Sequence, residues 1–274
     1  MRRAASGVCC ARDDPMNPDA YHAFTQALTA KLQADDRVRG LVLLGSTAAT
    51  DRQPDRWSDH DFFVITEPGD QEDFRARFDW LPDPVHIVLT VRETAHGLKV
   101  LYADGHLIEY AVFDVTEIAV ARANVYSVVF DRGGVADAMR QIATSEPVKI
   151  QDPQNTMSLF LCLLVVGAGR VARGEAISGG SFIRTHALGH LLTLLATSLD
   201  APDKAALDNL DPFRRFEQVF PAVGAEINAA LLHPPIEAAS ALLNVFERAL
   251  SHTPGYPADA VTTVRELLTR ADNT

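Results

Sequence analysis

The chain has 274 residues, 47% of them hydrophobic and 22% charged, which allows a sizeable core and excludes wholesale disorder. Its formal net charge of −11 disfavours any role that wraps a nucleic-acid backbone. The cysteines, Cys9, Cys10 and Cys162, form no disulfide framework, so a reducing cytoplasm is the expected location. Residues 1–16 lack the apolar stretch of a secretory signal and read as a disordered leader, with Met16 as an alternative start. The most apolar run, residues 159–166, falls far short of the roughly 20 residues that span a bilayer.

Asn17-Pro18 signals a helix start, and Tyr21, Phe24, Leu28 and Leu32 follow at helical spacing. Residues 38–44 form an apolar run ending in Gly45-Ser46, the pattern of a buried strand entering a turn. Residues 51–58 are polar and contain Pro54, which predicts a loop. A strand at 61–66, a helix at 71–80 and a strand at 85–91 come next. Strands at 98–103 and 106–113 flank Asp104-Gly105, a dipeptide that suits a type I′ hairpin turn. A helix at 114–124 and a strand at 126–130 complete this half.

After Asp131-Arg132-Gly133-Gly134 the strand signals fade. Helical patterns occupy 155–173, 181–199, 212–220, 222–232, 235–251 and 258–271, with Gly, Pro and Ser in the gaps. The expected organisation is α+β: a mixed sheet with flanking helices over 17–134, then an all-helical domain over 135–274.

One stretch carries chemistry, LVLLGSTAATDRQPDRWSDHDFFVIT, residues 41–66. Asp59 and Asp61 stand two apart at the entrance to a strand, so they share a face and His60 points the other way. Two carboxylates on one edge resist ionising together unless a cation sits between them. A hard divalent ion such as Mg²⁺ suits oxygen ligands and also takes substrate phosphates. Gly45 permits close backbone approach to a phosphate, and Ser46 and the following amides can donate to it. That is equipment for phosphoryl or nucleotidyl transfer.

An apolar strand, Gly-Ser, a spacer and Asp-x-Asp entering a strand resemble the polymerase-β-like nucleotidyltransferase superfamily. The resemblance covers residues 40–115, more loosely 170–220, and is greatest to the antibiotic-modifying branch, notably lincosamide nucleotidyltransferases. It implies a third carboxylate on a later strand, and HLIEYAVFD offers Glu109 and Asp114. Asp114 with Glu117 resembles a capping box, which explains it structurally. Glu109 lies in mid-strand with Leu107, Ala111 and Phe113 on its face, a costly place for an acid without a partner, and is the preferred third acid. The resemblance implies that Glu109 ligates metal or takes the proton of the attacking hydroxyl. An apolar setting would raise its pKa toward that of a general base.

The implied activity is Mg²⁺-dependent transfer of a nucleoside monophosphate from ATP or another nucleoside triphosphate to a hydroxyl of a small molecule, with an antibiotic among the candidates. Asp59 and Asp61 would hold metal, with Glu109 completing the catalytic set. Gly45 and Ser46 would bind phosphates, and Arg184 would clamp them if the helical half folds over the site. Arg170 and Arg173 read more simply as charges answering a helix dipole. His186 and His190 share a helix face but lack a third ligand, and read as packing residues. Trp57 stands beside the acidic pair and can stack on a planar ligand. Beyond the acceptor no nucleic acid or membrane is expected, and a homodimer is compatible. The competing readings are a protein-modifying adenylyltransferase and a nucleotide-binding regulator without catalysis.

Overall fold

The computed structural model describes residues 18–48, 53–143, 150 and 152–272. The chain divides into two compact units, residues 1–145 and 146–274. The first contains helix α1 (Pro18–Gln33), strand β1 (Val38–Leu44), a single turn α2 (Gly45–Ala48), β2 (His60–Thr66), α3 (Gln71–Ala76), β3 (Ile87–Arg92), β4 (Gly97–Tyr102), β5 (Leu107–Phe113), β6 (Tyr126–Asp131) and α4 (Val135–Ile142). The six strands make one mixed sheet in the order β3-β4-β5-β2-β1-β6, antiparallel throughout except for the parallel pair β2 and β5.

The sheet is covered on both faces, so its central strands read as continuous apolar runs. Leu41, Leu43, Phe62, Val64, Ile108, Tyr110 and Val112 point to one face and pack with Leu28 and Leu32 of α1. Val42, Phe63, Ile65, Ala111 and Phe113 point to the other and pack with Val135, Ala138, Met139 and Ile142 of α4. A Cβ on Gly40 would meet Val135 Cγ2 at 2.7 Å, so this strand glycine lets α4 lie directly on β1. That packing places residues 135–142 in the sheet unit. The sequence expectation of a boundary at 134 ignored this tertiary contact, since an amphipathic helix does not announce which domain buries it.

Three local expectations change for identifiable reasons. Helix α3 stops at Ala76 instead of running to 80, because Arg77 turns extended and the Trp80 indole N–H donates to the Phe74 and Arg77 carbonyls. The stretch 114–124 contains only a 3₁₀ turn, Glu117–Val120. The β4–β5 hairpin exists, but Gly105 alone has positive φ (93°), and its N–H donates to Tyr102 O at 3.0 Å. This is a three-residue loop closed by a left-handed glycine, not a type I′ turn. The expected cap Asn17, the leader and residues 51–52 of the loop at 51–58 lie outside the described residues.

The second unit is helical throughout its described residues: α5 (Pro153–Ala172), α6 (Ala176–Ser181), a π-helical stretch (Phe182–Ala187), α7 (Leu188–Ser198), α8 (Phe216–Val219), α9 (Pro221–Leu231), α10 (Pro235–Leu250) and α11 (Ala258–Asp272). Phe160, Leu164, Leu191, Leu195, Leu242 and Phe246 lie in its core. The helix expected over 212–220 shrinks to one turn because Arg215 is left-handed (φ 64°) and donates to buried Asp208 at 2.8 Å. Among the described residues α5 is long and apolar enough to cross a membrane by length and composition, which the apolar run 159–166 did not suggest. Its Met157, Phe160, Leu161 and Leu164 are nevertheless buried in this unit's core.

Two buried histidines brace α1 on the sheet. His60 and His106 lie 5.5 Å apart between ring centroids and pack against Tyr21 and Phe24. Burial, with a smaller contribution from His106, pushes the His60 pKa down to about 3. Burial lowers His106 too, against the opposing pull of Asp104. Unfolded histidine takes its proton near pH 6.5, whereas burial makes both rings take theirs at lower pH in the fold, so stability falls as pH drops below that value. The limiting slope is about 1.4 kcal/mol per pH unit for each ring. A His106→Phe variant should show a shallower loss of denaturation midpoint between pH 6.5 and 4; an unchanged slope would refute this coupling.

Candidate metal centre

The parallel register between β2 and β5 builds the site. It sets Asp61 opposite Glu109, and the β4–β5 register sets Lys99 opposite Glu109 on the other side. Asp59 precedes the first residue of β2. One carboxylate oxygen from each of Asp59, Asp61 and Glu109 lies within 4.8 Å of the others, and all three residues are half-buried. Among the described residues this is the only convergence of three or more His, Cys, Asp or Glu donors found.

The surroundings hold these acids in place. The Tyr21 hydroxyl donates to the Ser58 carbonyl, fixing the chain just before Asp59. Burial, followed by the charges of Asp55, Asp59 and Asp104, pushes that phenol up to about 12. His60 is wholly buried and its Nε2 lies 3.1 Å from Thr25 Oγ1, so its ring anchors the strand between the two aspartates. The Thr47 hydroxyl donates to Leu44 O at 2.8 Å and lies 3.4 Å from Asp61 O, tying the Gly-Ser corner to β2. Gly45 has φ 55°, and a Cβ there would stand 3.1 Å from Asp61 Oδ2. The corner therefore requires glycine twice, for its backbone and for the space beside the carboxylate.

Glu109 departs from the apolar setting expected for it. Lys99 Nζ lies 2.9 Å from Glu109 Oε1 and 3.3 Å from Glu93 Oε1, with 31% of both the Lys99 and Glu109 side chains exposed. Hydrogen bonding to Glu109, with weaker help from Glu93, raises the Lys99 pKa. The acid thus has a cation beside it instead of an apolar wall. Lys99 escapes a linear reading because its place depends on strand register; the alternation of buried and half-buried residues along β4 is its only trace. Asp114 is committed elsewhere. Its Oδ1 accepts from Thr116 N, Thr116 Oγ1 and Glu117 N at 2.7–2.8 Å, and its Oδ2 accepts from Gln71 at 2.7 Å. Burial works to raise its pKa, but these hydrogen bonds hold it below the usual range.

The donor set fits a hard divalent cation. Oxygens around octahedral magnesium lie about 2.9 to 4.2 Å apart for Mg–O distances of about 2.1 Å, so small side-chain rotations close the observed triad. Outside the triad, Ser46 lies in α2 beside Gly45. Arg184 lies in the second unit and donates to the His233 carbonyl. Arg170 sits 4.2 Å over the Phe182 ring and donates to Ser178. Arg173 faces Glu175, while His186 packs on Phe182.

No family model and no curated protein matches this sequence. Among solved structures, an aminoglycoside 6-adenyltransferase from Bacillus subtilis is similar at 14% identity and a TM-score of 0.30, over 91% of this chain and 97% of that one. So loose a likeness has no bearing on the chemistry of this chain, which rests on its own residues.

Titration calorimetry with Mn²⁺ should detect binding that weakens at least tenfold in Asp61→Asn. Equal affinity in the two proteins would exclude Asp61 as a ligand. Gly45→Ala should lower stability by about 1 kcal/mol or more in chemical denaturation, through its positive φ.

Proposed function

We propose that the sheet unit catalyses transfer of a nucleoside monophosphate from a nucleoside triphosphate to a hydroxyl group of a small molecule, releasing pyrophosphate. The observation that carries this reading is the convergence of Asp59, Asp61 and Glu109 within 4.8 Å, beside a glycine corner closed on Asp61. Asp59 and Asp61 would hold Mg²⁺, with Glu109 in reach of the same ion. When bound, the metal supplies positive charge that offsets the phosphates and the charge developing at phosphorus.

The chain's own residues account for the rest. The Gly45-Ser46 corner receives the polyphosphate through the Ser46 hydroxyl and the amides that follow Gly45, whose own N–H is held by the Val125 carbonyl at 3.1 Å. Glu109 accepts the proton of the acceptor hydroxyl as the new oxygen–phosphorus bond forms. The bond between the α-phosphorus and its bridging oxygen breaks, and that oxygen leaves with pyrophosphate. Lys99 engages one Glu109 oxygen, and a carboxylate has lone pairs enough to keep that contact while taking a proton or a metal. Lincosamides and aminoglycosides are the hydroxylated acceptors to screen first, beside cellular metabolites.

A pyrophosphate-release screen over acceptors and the common triphosphates tests the reading. Asp59→Asn and Asp61→Asn should each lower turnover at least a thousandfold while leaving the fold intact. Asp114→Ala should instead lower stability by about 1–2 kcal/mol through its lost turn hydrogen bonds and retain turnover when folded. Undiminished release in either Asp59→Asn or Asp61→Asn would defeat the proposal. Binding of Mg²⁺-ATP without release to any acceptor would favour the regulatory reading.

A further inference from the structure

Two residues before Asp59, Trp57 leaves 82% of its surface exposed, more than any other Phe, Trp or Tyr among the described residues. The turn that carries it is fixed. The Trp57 backbone N–H donates to Asp55 Oδ1 at 2.8 Å, the Ser58 N–H donates to Asp55 O at 2.9 Å, and Asp55 N–H donates to Ser58 Oγ at 3.0 Å. Tyr21, itself buried, clamps the end of this turn through Ser58 O. The Arg56 guanidinium lies 4.6 Å over the indole and occupies one face. By contrast, the other tryptophan, Trp80, is packed among Phe62, Phe74 and Tyr110, with its indole N–H bonded to backbone carbonyls. The fold therefore packs Trp80 against other rings and leaves Trp57 exposed.

Two residues of chain reach about 7 Å at most, so Trp57 cannot lie far from the metal centre. A nucleotide anchored there by its phosphates projects its base one sugar away, which is the range this ring commands. Flat aromatic rings attract bases of every kind because each has a π-face, and a stacked guanidinium adds positive charge near the polyphosphate. We propose that Trp57, backed by Arg56, is the stacking platform for the base of the triphosphate donor. The inference rests on the nucleotidyl-transfer reading and goes beyond it: no base-specific hydrogen bond is invoked, so the donor is chosen by its triphosphate and by ring area. Purine donors outrank pyrimidines, and ATP and GTP are nearly equivalent.

The test uses the full chain with Mg²⁺ and no acceptor, comparing wild type with Trp57→Ala by calorimetry and indole fluorescence. The probes are ATP, GTP, CTP and inorganic tripolyphosphate, which has no base. ATP and GTP should quench a fluorescence component present in wild type and missing from Trp57→Ala, with CTP quenching less. Tripolyphosphate should bind without quenching. Trp57→Ala should weaken ATP about tenfold and leave tripolyphosphate affinity unchanged. Equal ATP affinity in the two proteins, or equal quenching by tripolyphosphate, overturns the platform while leaving nucleotidyl transfer standing. Failure of both ATP and tripolyphosphate to bind wild type overturns that reading and the platform with it.

Discussion

Parallel pairing of β2 with β5 forces Asp61 and Glu109 side by side, and the chain segment entering β2 adds Asp59. Like charges held this close repel unless a cation or a proton intervenes. Lys99, from the neighbouring strand, brings a cation to Glu109. An external divalent ion would offset the negative charge the three acids bring together, and most of what surrounds them makes sense as support for that arrangement. The acids share a sheet face with the α4-packed cluster, yet they remain half-buried at one end of it, where water and solutes can reach.

Support comes mainly from behind. Between Asp59 and Asp61 the chain turns His60 into the opposite core, where it is locked by Thr25 and by the rings of Tyr21, Phe24 and His106. A phenylalanine would fill that space without a polar atom to bury, so the imidazole has a cost: among the described residues its Nδ1 has no hydrogen-bond partner. The Nε2 contact to α1 offsets part of that cost and fixes the strand against rotation. The residue between two ligands thus orients both, as rotation of β2 would swing the aspartates away together.

The sequence makes the aspartate pair legible because Asp-x-Asp depends on the period of a strand and on nothing distant. The same holds for β1, whose apolar run and terminal glycine mark both the strand and the corner after it. Glu109 is legible by its discomfort among apolar neighbours, but its partner is not, because Lys99 meets it through a register that no local pattern encodes. Residues 114–124 illustrate another limit. Their capping signal at Asp114 is real, yet Glu117 turns to Arg75 instead of closing the box, and the helix does not propagate. Residues 135–142 illustrate a third, since their apolar stripe fits either domain and only packing on Gly40 decides.

The central claim is that three acids from adjoining extended segments share one divalent ion. Crystals soaked in Mn²⁺ and measured at its absorption edge test it most directly. The account predicts a single strong anomalous peak bonded to oxygens of Asp59 and Asp61 and within reach of Glu109. A clean map at that position, with manganese bound elsewhere or nowhere, would contradict it.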